Sequence, residues 1–282
     1  TPSPNTPEAW ADMYRKFQAP ALNTRLGIPM IYGVDAVHGH NNVKGATIFP
    51  HNIGLGATRD PEIVQEIGRI TAKEAAATGM DWNFSPCVAV VRDIRWGRTY
   101  ESFGESPKLQ KQLAGAYVAG LQGPKAEMNG ERMVATAKHF VGDGGVRWGT
   151  GDANYKIDRG NLPVDEATLR RTHLPGYLEA IEEDVGTIMA SYTSWQGKKM
   201  HAHKYLLTDV LKGELGFEGF VVSDWNAISE INKPTFYGKV VTAVNAGVDM
   251  FMQPSNWRKF SDALTKAVEK GDVSETRIDE AV

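Results

Sequence analysis

"RDPEIVQEIGRITAKEAAATG", residues 59–79, reads as one helix with both of its ends written into it. Asp60 can accept from the first free backbone N–H groups, Pro61 suits the first helical position because its absent donor is unused there, and Gly79 can leave in a left-handed conformation. Directly after it, "WNFSPCVAV", residues 82–90, is apolar and reads as a strand. Working outward from this pair, the same alternation runs almost from end to end. Strands are expected over 28–35, 82–90, 134–140, 187–191, 220–224 and 248–252, and helices over 61–78, 107–121, 166–183, 205–215, 239–245 and 257–269. A further helical stretch, 7–17, has no strand before it. Strands alternating with helices predict an α/β fold with a parallel sheet and helices outside.

Two architectures satisfy that order. A closed eight-stranded barrel needs a strand ahead of the first helix and one more elsewhere. An open doubly wound sheet normally carries a glycine-rich turn after its first strand, and here that turn, "GVDAVHGHNN", offers side chains more than a bare backbone cradle. The barrel is the favoured reading. The stretch "GDGGVRWGTGD", residues 142–152, is a loop, and neither a repeat nor an interdomain linker is seen.

Composition narrows the function. The chain has 282 residues, 41% of them hydrophobic, and a formal net charge of -3. Its charges are mixed without a basic block, which argues against nucleic acid or an anionic membrane as partner. No apolar run approaches the roughly 18 residues that span a bilayer, and residues 1–10 lack the regions of a signal peptide. The single cysteine, Cys87, excludes an internal disulfide framework and a multi-cysteine zinc site.

In parallel α/β folds, reactive groups gather at the carboxyl ends of the strands. Those ends give Asp35 with His38, Arg92 and Arg98 with Glu101, Lys138 with His139, Tyr192, and Asp224 with Trp225. Any one acid can simply cap a turn. A rim carrying two acids, two arginines, a lysine, a histidine and aromatics instead suits a sugar, whose hydroxyls want charged partners and whose C–H face wants a ring. In "FVVSDWNAI", residues 220–228, Asp224 would face an anomeric carbon and Trp225 would wall the site. A carboxylate so placed can form a glycosyl ester. Lys138 and His139 are neighbours on a strand, so a local irregularity must turn one of them if both are to face the same side.

Two other chemistries compete. A Schiff-base aldolase would use Lys138 but leaves "SDW" and the arginine loop without a task. A metal-dependent hydrolase would use the pairs His38/His40 and His201/His203, although no HExxH or two-Cys motif supports one. No metal and no cofactor are expected.

The stretches "RLGIPMIYGVDAVHGHNNVKGATIFPHNIGLGATRDP" (25–61), "RWGRTYESFGESP" (95–107), "AKHFVGDGG" (137–145), "ASYTSWQGKKMHAH" (190–203) and "GFVVSDWNAI" (219–228) resemble the glycoside hydrolase family 3 β-glucosidases and exo-β-glucanases. The resemblance implies a (β/α)8-type barrel, sometimes irregular. It makes Asp224 the nucleophile and Trp225 an aromatic wall on the aglycone side. It assigns Asp35, Arg98, Lys138 and His139 to the hydroxyls of the terminal glucosyl unit, and sets Tyr192 beside the nucleophile. The reaction implied is release of terminal β-linked glucose from a β-glucoside or β-glucan oligosaccharide with retention, without metal. Members acting on N-acetylglucosaminides carry a histidine where this sequence has Asp143, which favours the glucosidase type. In that type the general acid/base is a glutamate of a second, C-terminal α/β domain. The expectation is therefore one barrel domain over 1–282, a truncated part of a two-domain enzyme, lacking the first barrel strand and the acid/base, with little activity alone. A non-catalytic sugar-binding barrel is the alternative. By the same resemblance the location is periplasmic or secreted.

Overall fold

The computed structural model describes residues 1–123, 130–151, 154 and 156–282. Asp152, at the end of the loop read from 142 to 152, lies outside the described residues. In chain order the regular elements are α1 (Pro7–Leu22), β1 (Gly33–Val34), α2 (Asn52–Thr58), α3 (Pro61–Ala76), β2 (Trp82–Asn83), α4 (Pro107–Gln122), β3 (Thr136–Phe140), β4 (Asn161–Leu162), α5 (Glu166–His173), α6 (Pro175–Glu182), β5 (Thr187–Ala190), β6 (Ser194–Trp195), β7 (Lys198–Lys199), β8 (Phe220–Val222), α7 (Phe236–Asn245), α8 (Trp257–Glu269) and α9 (Glu275–Ala281). Short 3₁₀ turns cover Thr99–Glu101, Met200–Ala202 and Ala227–Glu230, and a π-type helix covers Tyr205–Glu214. The backbone packs as two compact units.

The first unit comprises Thr1–Val88, Tyr100–Ala137 and Pro175–Gly186. Helix α3 forms as its sequence dictates. The Asp60 carboxylate accepts from the N–H groups of Glu62 and Ile63 at 3.0 and 3.1 Å. Pro61 opens the helix, and the buried face Val64, Ile67, Gly68, Thr71, Ala72 and Ala75 follows the helical period. Gly79 turns out at φ +88°. This face packs on α4, whose Leu113, Val118 and Leu121 are fully buried. Each such leucine contributes about 1.5–3 kcal/mol by leaving water. The helices approach closely at Gly120, where a Cβ would stand 2.2 Å from the Gln65 carbonyl oxygen. Strands β1 and β2 pair in parallel, and Trp82 bridges Val134 in parallel.

The second unit comprises Ala89–Thr99, Lys138–Leu174 and Thr187–Val282. Here the end of β3, β5 and β8 follow one another in a three-stranded sheet. β5 and β8 pair in parallel with Thr187 opposite Phe220, and Val222 bridges Met250 in parallel. Val240, Ala243, Val244 and Ala267 of α7 and α8 close an apolar cluster with Ile228, Ile231 and Val273. At the amino end of β8, Asp249 is buried with Lys212 at 2.6 Å and Arg277 at 2.5 Å, and it accepts from the Val221 N–H at 2.8 Å.

Parallel pairing of β1 with β2, β4 with β6 and β5 with β8 matches the α/β expectation, although β6 and β7 pair antiparallel and the strands are shorter than read. Among the described residues they form one two-stranded and two three-stranded sheets and not a closed ring of eight. The stretch read as a strand from 82 to 90 keeps regular pairing only over Trp82–Asn83, since Pro86 has no N–H to give a ladder. The helix read over 166–183 is two, because Pro175 opens a new one. α1 continues past the expected 7–17 to Leu22.

Candidate active site

Asp224 follows β8 by two residues, and its main chain is held from three directions. Ser223 donates its N–H to the Met250 carbonyl at 2.9 Å and accepts from the Met252 N–H at its hydroxyl, also at 2.9 Å. Asn226 donates to the Met252 carbonyl at 2.9 Å, turning at φ +54°, a left-handed conformation that asparagine tolerates. The Asp224 N–H itself donates to His201 Nε2 at 3.0 Å. His201 is fully buried, and burial, with help from nearby Lys199 and His139, pushes its pKa down to about 3. The ring therefore stays neutral and keeps Nε2 free to accept.

The Asp224 carboxylate is mostly buried, with 13% of the side chain exposed. Oδ1 accepts from the Trp225 N–H at 2.6 Å, and Oδ2 stands 3.7 Å from His139 Nε2. His139 Nε2 also meets Arg98 Nη2 at 3.3 Å. A guanidinium only donates, so in the neutral ring Nε2 accepts and the proton sits on Nδ1. Nδ1 faces Asp143 Oδ2 at 2.6 Å, which fixes that tautomer. Asp143 reaches back four residues because Gly142 and Gly144 turn at φ +106° and +76°, and at Gly144 a Cβ would also meet the Val90 carbonyl oxygen at 2.8 Å.

Burial works against the charge on Asp143, but His139 beside it, the hydrogen bond from that ring, Arg98 and the Ser191 hydroxyl outweigh it and hold the pKa below the usual carboxylate range. The sign follows. A depressed carboxyl contributes stability that is fully present above the unfolded value of about 3.9 and is lost as pH falls through the folded value. Asp143→Asn is expected to be less stable than the unsubstituted protein by about 1–3 kcal/mol at neutral pH. Urea denaturation should show that gap closing as the pH drops below about 4. A gap that persists unchanged into acid would contradict the ionised pairing.

Lys138 and His139 are both buried, at 4% and 3% exposure, and the peptide bond between them is cis, where the sequence calls for an irregularity. Tyr192 donates its hydroxyl to the Trp225 carbonyl, and burial followed by the charge of Asp224 pushes its pKa up, so it stays a donor. The Trp225 ring is 61% exposed. Arg98 also lines a cleft of about 570 Å³ with Trp96, Trp148, Asp158 and Arg159. Asp158 accepts from the Trp96 indole at 3.2 Å, and burial, then the charge of Asp143, raises its pKa.

The second unit thus brings Arg98, His139, Tyr192, Trp225 and Asp224 together, with Lys138 beside His139. Arg92, expected on the same rim, donates its N–H to the Gly144 carbonyl at 2.8 Å. Asp35 belongs to the first unit. It stands exposed at the end of β1 between buried Val34 and Ala36, and its carbonyl accepts from Asn42 at 3.1 Å. Glu101 is also in that unit, where its carbonyl accepts from Asn52 at 2.8 Å. The histidine pairs have local partners. His38 Nδ1 meets the Phe49 carbonyl at 3.1 Å, His40 Nε2 the Thr78 hydroxyl at 2.9 Å, and His203 Nδ1 the Leu206 N–H at 3.4 Å. Among the described residues, no three His, Cys, Asp or Glu converge as metal ligands. Sequence reading missed His201 as the support of Asp224 and Asp143 as the partner of His139. The four-residue spacing in "HFVGD" between two glycines was the available signal for the second.

Residues 3–282 match the model of the glycosyl hydrolase family 3 N terminal domain. The chain is 37% identical over 284 residues to a lysosomal beta glucosidase of Dictyostelium discoideum, covering 97% of this chain and 34% of that protein. It is 32% identical to a periplasmic beta-glucosidase of Salmonella typhimurium, covering 92% of this chain and 32% of the relative. The crystal structure of an exo-1,3/1,4-beta-glucanase from a Pseudoalteromonas species superposes with a TM-score of 0.90 at 47% identity, covering 98% of this chain and 34% of that one. The chain spans about a third of the length of these relatives. With a family match over nearly its whole length, this chain belongs to glycosyl hydrolase family 3, of which it carries the N-terminal domain.

Proposed function

We propose that the chain carries the glucose-binding and nucleophile-bearing part of a retaining β-glucosidase or exo-β-glucanase. The observation that carries the reading is the Asp224 carboxylate at the end of β8, with Oδ2 turned 3.7 Å from His139 Nε2 and its amide held by neutral His201. Asp224 attacks the anomeric carbon of a terminal β-glucosyl unit, the bond to the leaving oxygen breaks, and a glycosyl ester forms. Water then cleaves that ester, giving glucose with its original configuration. Arg98, Lys138 and His139 hold the hydroxyls of the unit. Tyr192 stands beside the nucleophile and the exposed face of Trp225 takes the aglycone side.

The acid/base carboxyl, about 5–5.5 Å from the nucleophile in a retaining site, is assigned to a glutamate of a second α/β domain outside these residues. On that reading the 282 residues are one (β/α)8-type barrel domain and act weakly without that glutamate. The named substrates of the relatives support a β-glucoside or β-glucan. A neighbour from Listeria innocua, solved with laminaribiose, points to short glucans. The periplasmic name of the Salmonella typhimurium relative supports a periplasmic or secreted location. No helix among the described residues is long and apolar enough to cross a membrane.

A 2-deoxy-2-fluoro β-glucoside with a dinitrophenolate leaving group tests the mechanism, because it forms the ester quickly and hydrolyses it slowly. Mass spectrometry should find one fluoroglucosyl adduct on the peptide containing Asp224. Binding without any adduct would instead favour a sugar-binding domain that does no chemistry.

A further inference from the structure

Three charged side chains outside the residues assigned above meet behind Tyr192. Glu230, in the turn after Asp224, accepts from Arg159 Nη1 at 2.9 Å with one carboxylate oxygen and from Lys199 Nζ at 2.8 Å with the other. Lys199 Nζ also donates to the carbonyls of Arg159 and Tyr192, each at 2.9 Å. The Arg159 guanidinium lies 3.9 Å over the Tyr192 ring, whose hydroxyl is held by the Trp225 carbonyl. Glu230 and Arg159 are each about a quarter exposed, at 27%, and Lys199 is at 23%. Arg159 adopts φ +60°, a left-handed backbone that its own side chain does not favour, so contacts made elsewhere must keep it there.

The cluster has a direction. Arg159 comes from the loop after β3, Lys199 ends β7, and Glu230 closes the 3₁₀ turn that begins three residues beyond Asp224. One carboxylate therefore ties three loops to the two aromatic residues that flank the nucleophile. An isolated exposed pair would contribute little. Here the ammonium spends two of its three donors on main-chain carbonyls, and one of those belongs to Tyr192 itself.

We propose that Glu230 is a positioning residue for the reaction: through Lys199 and Arg159 it sets the Tyr192 ring and the Trp225 main chain against Asp224. This rests on the function proposed above. Removing the charge should let Tyr192 and Trp225 drift while leaving the groups that hold glucose in place. The loss then falls on the rate of forming the glycosyl ester and not on binding of the glucosyl unit.

In the full-length protein, Glu230→Gln should lower kcat on 4-nitrophenyl β-glucoside by about 10- to 100-fold. KM should change by less than about twofold, and the pre-steady-state rate of labelling of Asp224 should fall in step with kcat. Glu230→Asp, which keeps the carboxylate, should recover most of the loss, and Tm should be nearly equal in all three proteins. A kcat within twofold of the unsubstituted protein, or a fall that Glu230→Asp does not recover and that follows a drop in Tm, overturns the positioning role. If the unsubstituted protein turns over without ever labelling Asp224, both this inference and the proposed function fall. If it labels normally while Glu230→Gln is unaffected, only the inference does.

Discussion

Asp224→Gly in the full-length protein is expected to lose at least about 10⁴-fold in kcat on 4-nitrophenyl β-glucoside, because on the function proposed above it deletes the nucleophile and leaves only the contribution of binding and of the other groups. The cause is local. The glycine removes both oxygens, the one accepting from Trp225 and the one facing His139, and opens a space beneath the anomeric carbon. Azide added at high concentration should enter that space and attack C1 from the same side. It would expel 4-nitrophenolate and release α-glucosyl azide, the stereochemistry of a single displacement on a β-glucoside. Product NMR distinguishes the outcomes. Activity within tenfold of the unsubstituted protein, or a β-glucosyl azide product, would remove Asp224 from the nucleophile's role.

The second large effect concerns stability and lies at the opposite end of the same strand. Asp249 has 3% of its side chain exposed and is shared by Lys212, Arg277 and the Val221 N–H. Arg277 in turn donates to the Val244 and Val248 carbonyls, each at 2.9 Å, so α9, α7 and the segment leading to Met250 meet at this one carboxylate. Asp249→Ala leaves an arginine of only 11% exposure without its counter-charge. Breaking a buried pair from one side costs about 3–5 kcal/mol. The shift in the midpoint of chemical denaturation should show it. Lys212→Met should cost less, because Lys212 is 25% exposed and Arg277 would still pair. Equal, small shifts for both would mean that the ion cluster contributes no more than a surface pair.

These two acids also show how much the sequence could say. Asp224 was readable because a buried apolar run ended in a carboxylate, and the rule that such ends collect chemistry needs only the strand's limits. The same rule located Arg98, His139, Tyr192 and Trp225, which the second unit brings together. Asp249 was not readable, since its partners are 37 residues before it and 28 after it and depend on where α9 docks. His201 entered the sequence reading only through the disfavoured metal-pair alternative. Its spacing from His203 fits that idea, whereas its bond to the Asp224 amide depends on a 3₁₀ turn that periodicity does not reveal.

Helix ends were legible wherever a cap was written beside them, as at Asp60, and Ser274 caps α9 in the same way although no helix was read there. The limits of the strands were the least legible part of the fold. An apolar run says that a segment is buried, but not how many of its amides find a neighbouring strand.

The hold on the Asp224 main chain has a bearing on the enzyme's response to acidity. Because His201 gains a proton only near pH 3, the hydrogen bond it offers does not switch anywhere in the range where an enzyme of this kind is assayed. A fall in turnover on the acidic flank of a rate profile then has its origin elsewhere than in this hydrogen bond. The support beneath the Asp224 main chain stays constant across that flank.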